Sequence, residues 1–138
     1  DAAGNLEAIL AAFVEPALTL AANRNGGGAF IRVIARAYAE TNDGLRAFLS
    51  ERYGHVQRDF ARALAVCLPA LSKEELYWRL DFLGGSLTYA MADFGLIKRP
   101  ADVSEVEHRR RAGSELIRFA AAGFRTAGQA ETTSSVTE

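Results

Sequence analysis

Hydrophobic residues between positions 72 and 94 form two stripes on opposite sides of one predicted helix. At about 100° per residue, positions spaced by four and three share one side of a helix. The aliphatic stripe comprises Leu76, Leu80, Leu83, Leu87, Ala90 and Phe94. The opposite, aromatic stripe comprises Trp78, Phe82, Gly85 and Tyr89. A surface helix ordinarily has one apolar face. We therefore expect each of the two apolar faces of this helix to be buried against a different surface. Its own domain covers one stripe, and a partner subunit, a membrane or a large ligand covers the other.

The adjacent residues Gly84 and Gly85 occupy the middle of this helix. Each glycine inside a helix costs about 1 kcal/mol relative to alanine. We interpret the pair as a place where another backbone or a ligand comes so close that a side chain would block it. The alternative interpretation is that the helix breaks there into two shorter helices.

Helical periodicity extends over most of the chain, in which β-branched residues are sparse and strand-type alternation is missing. Helices are predicted at about residues 5–23, 29–40, 43–68, 72–94 and 104–125. The predicted fold class is therefore all-α, a five-helix bundle over residues 1–126. The polar, patternless residues 127–138 are predicted to be a disordered tail.

Local signals predict where these helices begin and bend. Asn5 and Asp43 are predicted N-caps, and Ser72 with Glu75 has capping-box spacing. Pro16 is predicted to kink the first helix, because proline lacks an N–H and clashes with the preceding turn. The predicted inner face of that helix is Leu6, Ile9, Leu10, Phe13, Ala17 and Leu20.

Composition narrows the class of protein. A chain of 138 residues with 49% hydrophobic content is expected to form one domain. It has no long uncharged apolar run and no secretory signal, so we expect a cytoplasmic protein with no membrane partner. The single Cys67 cannot form an internal disulfide. The chain begins at Asp1, close to a helix, and we expect that an N-terminal part is missing.

Catalytic and metal-binding patterns are not recognisable. His55, His108 and Cys67 lie on different predicted helices without ligand spacing, so no metal and no cofactor are expected. The glycines at 26–28 lack the Lys-Ser/Thr of a phosphate loop and are predicted to form a helix-ending turn. No nucleophile elbow is present. We therefore expect that the protein is not an enzyme.

Two basic features have alternative interpretations. The run from His108 to Arg111 is a solvated helix face or a nucleic-acid contact, and nearby glutamates together with the net charge of −1 favour the first. Arg79 either lies at the rim of an interface or meets an anionic group of a ligand.

Residues 6–40 together with residues 68–94 resemble the C-terminal regulatory domain of TetR-family transcriptional repressors. The resemblance depends on the helix interrupted by Pro16, the glycine-rich turn before Phe30, and the run Leu-Pro-Ala-Leu-Ser at 68–72 that leads into Trp78 and Arg79. It implies a domain that binds a small effector and dimerises through its last two long helices as a four-helix bundle. It also implies that operator DNA is bound by a helix-turn-helix domain absent from this chain, so the chain alone is predicted not to bind DNA.

The dimer interface is predicted on the aromatic stripe and on the last helix, because interface cores are often aromatic and rimmed by charges. The predicted interface residues are Trp78, Phe82, Gly85, Tyr89, Ile117, Ala120 and Phe124.

A mostly apolar cavity is predicted between the first four helices, kept open by the bend at Pro16. Its predicted lining is Phe13, Phe30, Ile34, Tyr38, Val56, Phe60, Leu83 and Leu87, with Tyr38 as the polar anchor. The expected ligand is a small hydrophobic effector such as a fatty acid, an aromatic compound or a lipophilic drug. The alternatives are a solid core at these positions and a freestanding helical lipid- or small-molecule-binding protein without a regulatory role.

Overall fold

The computed structural model describes residues 2–23, 27–39, 42–93 and 95–128, and this part of the chain forms five helices and no strand. The helices are α1 (Ala2–Ala21), α2 (Gly27–Ala39), α3 (Asp43–Cys67), α4 (Lys73–Met91) and α5 (Glu105–Arg125). The all-α prediction is confirmed. The tail predicted at 127–138 falls mostly on residues outside the described part.

Side-chain caps begin three of the helices. The predicted capping box of α4 is present: the Ser72 hydroxyl accepts the Glu75 N–H at 3.2 Å, and the Glu75 carboxylate accepts the Ser72 N–H at 3.2 Å. Ser104 caps α5 by accepting the Glu107 N–H at 3.1 Å. At α3 the prediction is wrong by one residue, because the Asn42 side chain accepts the Leu45 N–H at 3.0 Å.

Two predicted helix starts also differ from the structure. The first helix extends back to Ala2, so Asn5 lies inside it, and it continues through Pro16 as one helix. The second helix begins at Gly27 rather than at residue 29. Gly27 is buried against the end of α1, where a Cβ atom would clash with the carbonyl oxygen of Leu20. This contact requires glycine, so Gly27 belongs to the packing of α2 on α1.

The fourth helix ends at Met91, before the predicted end at residue 94. Asp93 follows with a φ of 57°, the left-handed conformation that often ends a helix. Aspartate tolerates this conformation better than most residues, because its short side chain can form local hydrogen bonds. Phe94, predicted as the last member of the aliphatic stripe, lies outside the described residues.

The core is built around α1, which contacts all four other helices. A stripe at every fourth position of α1 is buried, with Ala21 at its end: Leu6, Leu10, Val14, Leu18 and Ala21. This face differs from the predicted one, because Leu20 is 43% exposed whereas Val14 and Leu18 are buried. The remaining buried apolar residues come from the other helices and include Leu64, Leu76, Leu83, Leu87, Ala120 and Phe124.

Helices α1 and α5 pack closely because α5 carries small residues where they meet. The Cβ atom that Gly113 lacks would lie 3.1 Å from Cδ1 of Leu18 and 3.8 Å from Cγ1 of Val14. Nearer the other end of this helix pair, the Arg125 guanidinium donates to the Glu7 carboxylate at 2.6 Å. This hydrogen bond lowers the pKa of Glu7 below its ordinary value.

Two arginines hold α4 and α5 antiparallel, each binding the C-terminal end of the other helix. Arg109 of α5 donates to the carbonyl oxygens of Ala90 and Met91 at 2.5 and 3.0 Å. Arg79 of α4 donates to three carbonyl oxygens at the end of α5, at 2.8 to 3.0 Å: those of Gly123, Phe124 and Thr126. The last carbonyls of a helix have no partner within it and carry partial negative charge. The two guanidinium groups therefore stabilise both ends of the pairing.

Replacing Gly113 with leucine should destabilise the fold by about 1 to 3 kcal/mol, since the added atoms overpack the contact with Leu18. Urea unfolding followed by circular dichroism measures the change. Ser114→Leu is the matched control, because Ser114 is the exposed neighbour on α5. Equal stability of Gly113→Leu and the control would contradict the close packing of α1 on α5.

Arg109→Met should lower the free energy of unfolding by about 1.5 to 3 kcal/mol, the usual contribution of hydrogen bonds to a charged group. The α4 carbonyls would lose their donor in a buried site. Arg110→Met removes the neighbouring cation, which is exposed and paired with Glu107, and should have a much smaller effect. A comparable loss in the two variants would show that the buried bonds of Arg109 contribute nothing specific.

Candidate functional site

Aromatic side chains of α4 and α5 form an uncovered apolar surface, here called the outer face, comprising Trp78, Phe82, Tyr89 and Phe119. Phe82 is 65% exposed and Phe119 is 75% exposed. The Trp78 and Phe82 rings stack with centroids 5.9 Å apart. This exposure agrees with the two-stripe pattern, since Leu76, Leu83 and Leu87 of the aliphatic stripe are buried. Contiguous apolar surface of this kind commonly marks an interaction site.

A groove of about 650 Å³ runs along the outer face between α4 and α5. Phe82 and Ser86 line it from α4, and Leu116 and Phe119 line it from α5. Arg79 also lines the groove, but its guanidinium is hydrogen-bonded to the end of α5. Arg79 is thus primarily a helix-capping residue at the rim of this face.

The predicted interface residues of α5 are placed differently from those of α4. Phe124 is 3% exposed and Ala120 is also buried, both within the subunit core, while Ile117 is partly buried against it. Ala120 and Phe124 border the groove between α4 and α5, but their own subunit leaves little of either side chain for a partner to cover. Phe119, which is not among the predicted interface residues, is the large apolar residue that α5 adds to the outer face.

A second open cavity of about 650 Å³, here called the inner cleft, lies between α3 and α4 with Phe13 of α1 contributing to its lining. The Phe13 and Phe60 rings stack with centroids 4.4 Å apart and planes inclined by 13°. Leu76 and Leu80 of α4 complete the main apolar lining. The volume lies within the range of about 300 to 1,000 Å³ that is usual for small-molecule sites.

Polar and charged side chains surround the apolar lining of the cleft. Arg58 and Arg62 contribute from α3, and Lys73 and Asp81 contribute from α4. The Lys73 ammonium lies 5.5 Å from the centre of the Tyr77 ring, within reach of a cation–π interaction. The cleft can therefore receive a molecule that has an apolar body and a polar end.

The structure brings together only some of the predicted ligand-binding residues. Phe13 and Phe60 line the inner cleft, whereas Leu83 and Leu87 are buried in the core and Val56 is 45% exposed beyond the lining. Ile34 is partly buried on α2 and is not among the described lining residues. The predictions for Phe30 and Tyr38 concern side chains outside the described part of the structure.

Sequence reasoning missed the polar wall of the cleft. Arg58 and Tyr77 line it, but both lie outside the apolar faces that periodicity selects. Gly84 also lines the cleft and is the one of the three that the sequence pattern singled out. The available signal was the position of Gly84, because a glycine in a helix indicates that space beside it is used.

Helix α4 continues without a break through Gly84 and Gly85. The two glycines face different surfaces of the helix. Apart from the neighbouring residues and the backbone of α4 itself, no heavy atom of the described residues lies within 4 Å of the position where either glycine would carry a Cβ atom. Gly84 lines the inner cleft, and Gly85 is exposed in the aromatic stripe. The backbone or ligand that is predicted to lie close to this pair is therefore not another described part of the same subunit.

The described residues contain no group of three side chains suited to hold a metal ion, and none of their helices has the length and apolarity needed to cross a membrane. The basic run on α5 is not a uniform solvated face, because Arg109 is buried against α4. Arg110 donates two hydrogen bonds to Glu107, at 2.7 and 2.8 Å.

Comparison with known families agrees with this architecture. A family model described as "Tetracyclin repressor-like, C-terminal domain" matches residues 11–123, from the middle of α1 almost to the end of α5. No curated protein and no solved structure gives a significant match to the chain. The family is regulatory rather than enzymatic, and its members generally combine effector binding with dimerisation. On this match, the chain belongs to the tetracyclin repressor-like C-terminal domain family.

Proposed function

We propose that this domain binds a small hydrophobic effector in the inner cleft and forms a homodimer through the outer face. It would thereby control DNA binding by a helix-turn-helix domain of a TetR-like repressor. One observation carries the proposal. Helix α4 borders two apolar surfaces, and of its two adjacent glycines Gly84 faces the inner cleft whereas Gly85 lies on the outer face.

The outer face supports dimerisation. Isolated exposed aromatic residues are common, but here four lie on two adjacent antiparallel helices. When the same helix pair of a second subunit covers them, the result is a four-helix bundle. Helices pack about 8 to 10 Å apart depending on the side chains between them, and Gly85 would allow the shorter distance at the centre of the contact.

The inner cleft supports effector binding. It has the volume of a small-molecule site and a mainly apolar surface, with polar and charged side chains around it. Because α4 lines the cleft and also carries the outer face, a ligand that shifts α4 changes the geometry of the dimer. The ligand would act by favouring one of two dimer arrangements, to the extent that it binds that arrangement more tightly.

Gly85→Leu should convert the dimer to a monomer, because the added side chain pushes the paired helices apart. Light scattering at tens of micromolar measures the mass. Gly84→Leu is the matched control: it places the same side chain one residue away, on the cleft side of α4, and should remain dimeric. If the unmodified domain is a monomer at this concentration, the proposed dimer is wrong.

A thermal-shift screen with lipophilic compounds should identify stabilising ligands. A ligand at 100 times its Kd stabilises the folded state by about 2.7 kcal/mol, which raises the Tm of a domain of this size by several degrees. Gly84→Leu and Phe60→Trp should abolish the shift because both fill the cleft, whereas Gly85→Leu should retain it. Circular dichroism confirms that each variant is folded.

Two results would contradict effector binding in the cleft. One is a broad lipophilic library that produces no shift with the unmodified domain. The other is a hit whose shift is unchanged by both cleft-filling variants, since such a ligand binds elsewhere. A hit that is unaffected by dimer dissociation, and that leaves operator binding of a full-length repressor unchanged, would favour a lipid-binding protein without a regulatory role.

A further inference from the structure

We propose that the ligand of the inner cleft is a hydrophobic carboxylic acid, whose carboxylate is bound by Arg58 beside Ser50 while its apolar body lies against Phe13 and Phe60. This inference rests on the proposed function and narrows its ligand to one chemical class.

The charged side chains around the inner cleft are mostly positive. The chain as a whole has a formal net charge of −1, yet three cations, Arg58, Arg62 and Lys73, line the cleft with one carboxylate, that of Asp81. Charges of one sign around a low-dielectric concavity raise the local concentration of oppositely charged ligands. The cleft is thus locally suited to an anion although the chain is slightly acidic.

The three lining cations differ in the partners that they already have. Arg62 forms an ion pair with Asp59 at 3.1 Å, and the ammonium of Lys73 lies over the Tyr77 ring. The Arg58 guanidinium has no carboxylate partner among the described residues. Arg58 and Lys73 are thus the two lining cations without a carboxylate partner among the described residues. Of these two, Arg58 has the planar guanidinium that can form a bidentate hydrogen-bonded pair with a ligand carboxylate.

The Arg58 guanidinium and the Ser50 hydroxyl both lie beside Gly54. Nη1 of Arg58 lies 3.4 Å, and Oγ of Ser50 3.7 Å, from the point where Gly54 would carry a Cβ atom. All three residues line the cleft. Residues 50, 54 and 58 are spaced by four, so the guanidinium of Arg58 and the hydroxyl of Ser50 lie on the same side of α3, with Gly54 between them. Both donors therefore face the same part of the cleft, where a carboxylate would lie.

The rest of the cleft, beyond Arg58 and Ser50, suits the apolar body of such an acid. The stacked rings of Phe13 and Phe60, with Leu76 and Leu80, offer apolar surface to a chain or a ring. Gly84 leaves further space there. A molecule with one carboxylate and an apolar body would satisfy both parts, whereas a wholly neutral hydrocarbon would leave Arg58 without a partner.

The test compares acids with neutral analogues of equal size. Isothermal titration at pH 7 uses two matched pairs, dodecanoic acid with dodecanol and 4-phenylbutanoic acid with 4-phenylbutanol. At least one acid should bind about tenfold more tightly than its alcohol, the ratio that corresponds to one charged hydrogen-bonded contact. Arg58→Met should reduce that acid's affinity by a similar factor and leave the alcohol unchanged.

Arg52→Met is the matched control, because Arg52 is an exposed arginine on α3 that does not line the cleft. It should change neither affinity. Equal binding of acid and alcohol would overturn the proposal, as would an Arg58→Met variant that retains the preference for the acid. If all four probes fail while neutral compounds bind in the cleft, the carboxylate class is wrong and the effector site remains. If no compound of any kind binds, the proposed effector function itself fails.

Discussion

The antiparallel pairing of α4 and α5 depends on two guanidinium groups, each of which binds the C-terminal end of the opposite helix. The last carbonyl groups of a helix need external donors, and here Arg79 and Arg109 supply them at opposite ends of the pair. Sliding one helix along the other would break bonds at both ends together. The pairing therefore has one register, and this register determines which side of α4 faces the core and which side stays uncovered.

Both candidate surfaces follow from that position of α4. Its aliphatic side fills the core with Leu76, Leu83 and Leu87, and Leu76 and Leu80 also border the inner cleft. Its aromatic side lies on the outer face, which α5 enlarges with Phe119. A single helix thus separates the proposed effector site from the proposed partner surface. Such an arrangement provides a short physical route between the two, because a displacement of α4 by a ligand necessarily moves both surfaces.

The residues of the inner cleft and the outer face were harder to predict from the sequence than the helices were, and the reason is geometric. Periodicity identifies the side of a helix that is apolar, but it does not identify which neighbour covers that side. The interface residues predicted on the last helix are apolar, yet Ala120 and Phe124 are buried within the subunit. Leu83 and Leu87 were correctly recognised as inward-facing, yet they fill the core rather than line the cleft. Arg58 was not selected because a charged residue on an exposed helix is ordinarily just solvated.

The sequence alone determined the all-α class, the approximate extent of each helix, the capping box at Ser72 and the two-sided character of α4. These features depend on local hydrogen bonding and on periodicity, which neighbours along the chain specify. The tertiary structure decided the start of α2, the buried face of α1, the burial of Arg109 and the division of the apolar residues between core, cleft and outer face. Those outcomes depend on contacts between different helices, such as Leu18 with Gly113 and Leu20 with Gly27. Close packing allows only one helix arrangement to satisfy them together.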